Sequence, residues 1–235
     1  MEGFILAAGL GTRLRPLTDS RPKALVELCG QTLLERTIHK LEDAGVDRIV
    51  VNVHHFADMV ELFVRDRQWK CPIVISDERQ LLLDTGGALR HAAPLFSGTG
   101  PVLVHNVDVV SDIDLHALEE AHRHSGNLVT LCVSRRDTKR ELVFSAEGLL
   151  LGRKGEVEEP SGAMTLAFSG VSMVDPHLFS LLPHRDDPFP IIPVYIALSP
   201  ANRIGAYVHS AEHWFDVGKP DTLEKARLWI DSFKK

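Results

Sequence analysis

Residues Leu6 to Lys23, LAAGLGTRLRPLTDSRPK, combine permissive backbone with concentrated positive charge. Gly9 and Gly11 can take backbone angles closed to other residues and let main-chain N–H groups come close to a phosphate. Thr12, Arg13, Arg15, Arg21 and Lys23 add donors and cations. The segment reads as a cradle for a triphosphate. A basic turn with no ligand is a poor account of it in a chain whose net charge is −6. Other glycine loops do not fit. A dinucleotide fingerprint would need a glycine where Leu14 stands, and a Walker A loop would need Lys-Ser/Thr directly after a glycine.

Further groups with chemical potential lie far away in the chain. The apolar run in PVLVHNVDVVSD ends by delivering Asp108, and a short apolar piece in HWFDVGKPD delivers Asp216. Asp112 and Asp114 read as caps of the helix that follows. In SDERQLLLDTGGALRHA, Thr85, Gly86 and Gly87 open a helix whose free N–H groups can face a ligand. Glu78 can accept from N3–H of uracil or thymine, or from N1–H and N2–H of guanine; adenine and cytosine suit it less well. His54 and His55 follow a strand and read equally as a site-edge pair or as plain loop residues.

Elements that could position these groups follow from the alternation of apolar runs and amphipathic segments. Gly3–Ala8, Arg48–Val53, Cys71–Ser76, Val102–Val107 and Asn127–Ser134 are expected strands. Thr32–Ala44, Ala57–Arg65, Thr85–Phe96 and Asp114–His124 are expected helices. That rhythm implies an α/β fold with a parallel sheet, whose ligands bind at the strands' carboxyl ends. Beyond Arg135 come strand-like pieces at Glu141–Ser145, Leu149–Gly152 and Met164–Val174, and helices after Pro176, over Ile191–Leu198 and over Thr222–Phe233. The 235 residues, 44% hydrophobic and 25% charged, are read as one domain: a nucleotide-binding part over about 1–135 and an acceptor-binding lid with closing elements over about 136–235. The acidic balance argues against a nucleic-acid partner, and no apolar run is long enough for a membrane span. A cytoplasmic protein is expected, with Cys29, Cys71 and Cys132 as reduced thiols.

The string Gly9, Gly11, Thr12, Arg13, Leu14, Pro16, Leu17, Thr18, Pro22, Lys23 resembles the G-x-G-T-R-L-x-P-L-T…P-K signature of the sugar-1-phosphate nucleotidyltransferases. Trp214, Asp216, Val217, Gly218 and Pro220 match their W-x-D-V/I-G-x-P motif. Asn106-Val107-Asp108 stands where the family carries N-G-D. The resemblance implies a Rossmann-like three-layer α/β/α (GT-A-like) nucleotidyltransferase fold with a mixed, mostly parallel central sheet. It implies Mg²⁺ on Asp108 and Asp216, a hard cation suited to carboxylate and phosphate oxygens. It makes Arg13, Lys23 and Asp108 catalytic, and Leu6, Ala7, Ala8, Gly9, Gly11, Thr12, Arg13, Glu78, Thr85, Gly86 and Asn106 nucleotide-binding. FSGVSMVDP resembles the family's [FT]-[ST]-G-[IV] strand, in which Gly170 admits the sugar. The family's acceptor-site lysine is replaced here by Glu158-Glu159-Pro160, leaving Lys154, Arg140 or Arg153 to bind the sugar phosphate.

The implied reaction joins an NTP to a sugar 1-phosphate and releases pyrophosphate. The compact chain, with its VNVHH and DTGGAL segments and no room for a C-terminal β-helix, looks most like the N-acetylmuramate-1-phosphate uridylyltransferases, so UTP is the favoured donor. Mannose-1-phosphate guanylyltransferases, using GTP, come next and cytidylyltransferases third. A silent relative that binds nucleotide or sugar phosphate without turnover is the alternative class. A monomer or homodimer is expected.

Overall fold

Apolar runs become strands here because each is covered on both faces. In the computed structural model, which describes residues 1–233, Phe4 packs into one core cluster and Ile5 into the other, both fully buried. The strands are β1 (Glu2–Leu6), β2 (Glu27–Leu28), β3 (Gln31–Thr32), β4 (Arg48–Val53), β5 (Ile73–Asp77), β6 (Val102–Asn106), β7 (Val109–Ser111), β8 (Val129–Ser134), β9 (Glu141–Phe144), β10 (Leu150–Arg153), β11 (Met164–Val174), β12 (Ile204–Val208) and β13 (Trp214–Asp216). The helices are α1 (Leu33–Asp43), α2 (Ala57–Arg65), α3 (Asp84–Ala92), α4 (Leu115–Ser125), α5 (Leu178–Leu181), α6 (Ile191–Leu198) and α7 (Pro220–Ser232). No helix among the described residues is long and apolar enough to cross a membrane.

The main sheet has nine strands in the order β10-β9-β11-β6-β1-β4-β5, with β8 on the other side of β11 and β12 beyond it. Every strand except β10 and β11 runs in the same direction, so the sheet is mixed and mostly parallel as expected. Helices α1, α2, α4 and α7 contribute to the core on one face, and α3, α5 and α6 to the core on the other. The three layers follow from period-2 alternation in the strands meeting amphipathic helices.

Local signals explain most element ends. Thr32 caps α1 by accepting from Glu35 N (3.1 Å), and Asp114 caps α4 by accepting from Ala117 N (3.0 Å). Asp112 does not cap. Its Oδ2 lies 2.9 Å from His213 Nδ1, across the pairing of β7 with β13. Helix α3 ends at Ala92, as the irregularity expected at Pro94 requires: proline lacks the N–H to continue it and the chain tightens into a 3₁₀ turn over Ala93–Leu95. No disulfide joins Cys29, Cys71 and Cys132 among the described residues.

β11 positions the site. Its carboxyl half, Val171–Val174, pairs with β6, while its amino half, Met164–Ala167, pairs with β9. The β9–β10 hairpin therefore extends the sheet past the carboxyl end of β6. Between the halves the register with β8 shifts from Phe168 to Ser172, and Gly170 sits in the bulge at φ 74°. A Cβ on Gly170 would meet Asn106 Nδ2 at 2.8 Å and Val109 Cγ2 at 2.9 Å.

Alternation along β6 sends Asn106 toward this bulge and His105 into the opposite face, where it is fully buried. Burial pushes the His105 imidazole from its ordinary value of 6.5 down to about 3, and the Lys40 ammonium acts in the same sense. The unfolded chain therefore binds a proton that the native chain does not, between pH 6.5 and about 3, and stability falls as pH drops through that window. One such group supplies at most ~1.4 kcal/mol per pH unit. Thermal melts between pH 6.5 and 5 should fall less steeply for His105→Phe than for the native chain; equal slopes would show that His105 is not the titrating group.

Candidate active site

The glycine loop leaves the carboxyl end of β1, and its first two amides are fixed from below. Asn52 Oδ1 accepts from Ala7 N (2.6 Å) and Ala8 N (3.2 Å). Asn52 Nδ2 in turn donates to Glu78 Oε1 (2.8 Å), while Leu83 N donates to Oε2 (3.3 Å). Glu78 is 3% exposed, and burial raises its carboxyl above the ordinary range against the opposing effect of those hydrogen bonds. Glu78 does not line the cavity, and both its oxygens accept from neighbours behind the loop, Asn52 and Leu83. The Ala7 and Ala8 amides are engaged as well. The Gly9, Leu10 and Gly11 amides find no acceptor among the described residues and stand at the exposed mouth. Gly11 is left-handed at φ 67°, and its carbonyl accepts from Thr18 Oγ1 (2.9 Å).

Lys23 reaches from the end of this loop to Asp108, Nζ to Oδ2 at 2.6 Å, with the two side chains 12% and 13% exposed. Asp108 follows β6 directly. Strand β13 pairs antiparallel with β7, setting Asp216 opposite Val109, and Val217 N donates to the Asp108 carbonyl (2.9 Å). Asp216, on β13, is thus brought beside the turn before β7 that carries Asp108, although the two lie 108 positions apart, the difference between 216 and 108. Asp216 Oδ1 accepts from Gly218 N (2.9 Å) and lies 3.7 Å from Arg13 Nη2. A Cβ on Gly218 would sit 2.5 Å from that Arg13 nitrogen, so the glycine makes room for the guanidinium. Two carboxylates lining one cavity, with hard oxygen donors, fit a divalent ion such as Mg²⁺. No group of three or more His, Cys, Asp or Glu side chains assembles among the described residues.

These groups edge a cavity of about 840 Å³, whose lining includes Leu6, Arg13, Thr85, Asn106, Asp108, Gly170 and Asp216. Gly9, Gly11, Thr12 and Lys23 flank it without lining it. The expected free N-terminus of α3 is not free. Gly86 N and Gly87 N donate to the Phe189 carbonyl (2.9 and 3.2 Å), and Thr85 Oγ1 accepts from Ile191 N (3.0 Å). A Cβ on Gly86 would strike the Phe189 ring at 2.6 Å, which is why the helix opens with glycine. His54 Nδ1 bonds the Glu78 carbonyl (2.7 Å), the His55 ring lies tilted at 47° against Phe56, and neither histidine lines the cavity.

Among the cations considered for the sugar phosphate, Arg140 and Arg153 line the cavity and Lys154 does not. Period-2 alternation turns Lys154 to the opposite face of β10 from Arg153, where it pairs with Glu141 (2.8 Å). Sequence reasoning missed Arg136, Lys219 and the apolar wall Pro190–Pro193 with Tyr195. The Arg136 guanidinium stacks 3.5 Å from the Trp214 ring centre and donates to the Phe168 carbonyl (2.8 Å), while its Nη1 is buried without a partner. Burial pushes Arg136 down to about 10, opposed by Asp216, so it stays charged. Its only sequence signal is the Arg-Arg pair that ends β8.

The nucleotidyl transferase family model matches residues 2–144. The chain is 38% identical, over 96% of its own length and 96% of the other's, to an N-acetylmuramate alpha-1-phosphate uridylyltransferase of Caulobacter vibrioides. It is 30% identical over 100% of both chains to a protein of the same name from Neisseria meningitidis. A probable mannose-1-phosphate guanylyltransferase of Oryza sativa is 30% identical, and the chain spans 66% of its length. Among solved structures, a UDP-glucose pyrophosphorylase from Acinetobacter baumannii superposes with a TM-score of 0.80 at 19% identity, covering 97% of this chain and 92% of that one. That likeness is one of fold. The loop signature, the approach of Asp216 to the Asp108 turn and these matches together establish that the chain belongs to the nucleotidyl transferase family and is a nucleotidyltransferase.

Proposed function

We propose that this enzyme transfers a nucleotidyl group from UTP to N-acetylmuramate 1-phosphate in a Mg²⁺-dependent reaction, giving a UDP-sugar and pyrophosphate. GTP with mannose 1-phosphate is the next choice. The observation that carries the reading is the meeting of Asp108, Asp216, Arg13 and Lys23 at one edge of the cavity. The choice of UTP and muramate rests on the two relatives bearing that name. Residues 1–235 act in this reading as one nucleotidyltransferase domain making a nucleotide sugar in the cytoplasm.

A phosphate oxygen of the acceptor attacks the α-phosphorus, a P–O bond forms, and the bond from that phosphorus to the bridging oxygen breaks as pyrophosphate departs opposite. The attacking group is already an anion, so no general base is needed. Catalysis consists of alignment and charge neutralisation. Asp108 and Asp216 would hold the Mg²⁺, which supplies phosphate neutralisation and orientation when bound. Lys23 neutralises Asp108 in the free enzyme; it exchanges that partner for the α-phosphate and its transition-state charge. Arg13 takes the leaving pyrophosphate from the loop mouth, where the Gly9, Leu10 and Gly11 amides are open. Gly170 lets the acceptor ring approach the backbone of β11, and Arg136 meets the acceptor phosphate next to Asp216. Asn106 and Thr85 contact the nucleotide from the cavity wall.

Pyrophosphate release measured over a panel of NTPs and sugar 1-phosphates tests the reading. The native chain should be most active with UTP and N-acetylmuramate 1-phosphate. Lys23→Ala should lower turnover by about two orders of magnitude or more. No release with any pair, or near-normal turnover in Lys23→Ala, would refute it. Glu78→Gln places an amide N–H₂ against a donor at Asn52 or Leu83, and should lower stability by ~1–3 kcal/mol. Because Glu78 lies behind the loop, the UTP-to-GTP ratio of kcat/KM should hold; a change on the order of tenfold or more would mean that Glu78 reads the base.

A further inference from the structure

The cavity carries more fixed cations than one acceptor phosphate requires. Its lining acids are Asp84, Asp108 and Asp216. The wall beyond the end of β6 carries Arg136, Arg140 and Arg153, set among Leu142, Phe168 and Ile192, and none of these arginines makes an ion pair within 4.0 Å among the described residues.

Strand register explains why the charges collect there. Ala167 pairs with Glu141, so Phe168 and Arg140 are the next opposed positions; Leu142 pairs with Leu166 on one side and with Arg153 on the other. Arg140, Leu142, Phe168 and Arg153 thus share one face. The other face carries Glu141 and Lys154, which neutralise each other. The cavity face is left cationic and the outer face balanced.

The arginines also differ in reach. Arg136 is fixed by the Trp214 ring and the Phe168 carbonyl, within the electrostatic influence of Asp216. Arg140 stands across from Phe168, two strand residues or ~7 Å from the Gly170 bulge. A sugar seated at Gly170 with its phosphate toward Arg136 presents its far substituents to Arg140 and Arg153.

Taking the sugar-1-phosphate reading above as its basis, we propose that Arg140 and Arg153 bind a carboxylate carried on the acceptor ring, so that the enzyme selects an acidic sugar 1-phosphate over its neutral parent. Guanidinium forks match carboxylates in a bidentate geometry, and Leu142 and Phe168 give the pair an apolar floor on the same strand face. Two probes differ in that one group: N-acetylmuramate 1-phosphate carries a lactyl carboxylate, and N-acetylglucosamine 1-phosphate lacks it.

Calorimetric titration of both probes into the native chain, Arg140→Gln/Arg153→Gln and Arg140→Lys/Arg153→Lys tests this without requiring turnover. Both arginines are exposed, and circular dichroism checks that the variants fold. The native chain should bind the muramate probe ~10-fold or more tightly than the neutral one. The glutamine pair should lose most of that preference through weaker muramate binding, and the lysine pair should retain part of it. Equal affinity of the native chain for the two probes, or a preference that survives in the glutamine pair, would overturn the proposal. Selective binding without pyrophosphate release from any NTP would instead refute nucleotidyl transfer and leave carboxylate selection standing.

Discussion

The short antiparallel pairing of β7 with β13 is the constraint on which the active site depends. Without it, Asp108 would be the end of a buried strand and Asp216 a residue near the last helix. With it, Val217 N locks onto the Asp108 carbonyl and Asp216 comes beside the turn that carries Asp108. Like charges brought together need compensation, and cations from the opening loop supply it: Lys23 on Asp108 and Arg13 near Asp216. The Lys23–Asp108 pair is largely shielded from water, so removing either partner strands a charge in a medium that solvates it poorly. In the proposed reaction a polyphosphate with its divalent ion would replace both partners.

A second constraint comes from β11 being longer than its neighbour β6. The sheet passes from a parallel half, which delivers the Gly9–Lys23 loop and Asp108, to an antiparallel hairpin that forms the far wall of the cavity. The change of partner requires a bulge, the bulge requires Gly170, and the missing side chain leaves space against Asn106. Trp214 Nε1, His209 and Arg136 all fasten onto the Phe168–Gly170 stretch, through the Ser169 carbonyl, the Ser169 hydroxyl and the Phe168 carbonyl. The position where an acceptor ring would rest is thus held by elements from three separate parts of the chain, a preorganisation suited to alignment-driven chemistry.

Much of this was legible in the sequence wherever a local pattern had one physical solution. The Gly9–Lys23 loop, the strand ending near Asp108, the Asp216-Val217-Gly218 turn and the bounds of α2, α6 and β11 follow from glycine placement and apolar periodicity. Burial was less legible. Glu78 looks like a reader of bases because a carboxylate is costly to bury, yet Asn52 and Leu83 satisfy it behind the loop. The amides at the start of α3 look open until the Phe189–Ile191 segment, more than 100 positions downstream of Thr85, folds back on them. Lys154 and Arg153 are adjacent in sequence and face opposite ways, a distinction that only the register of β9 with β10 decides.

Isothermal titration of Mn²⁺, a spectroscopically useful stand-in for Mg²⁺, with a non-reactive UTP analogue present tests most directly whether the β7–β13 pairing creates one shared ion site. The native chain should take up the ion with both carboxylates engaged, and Asp108→Asn and Asp216→Asn should each weaken its binding on the order of tenfold or more. If Asp216→Asn holds the ion as tightly as the native chain does, the two acids do not act on one ion and the account fails at its centre.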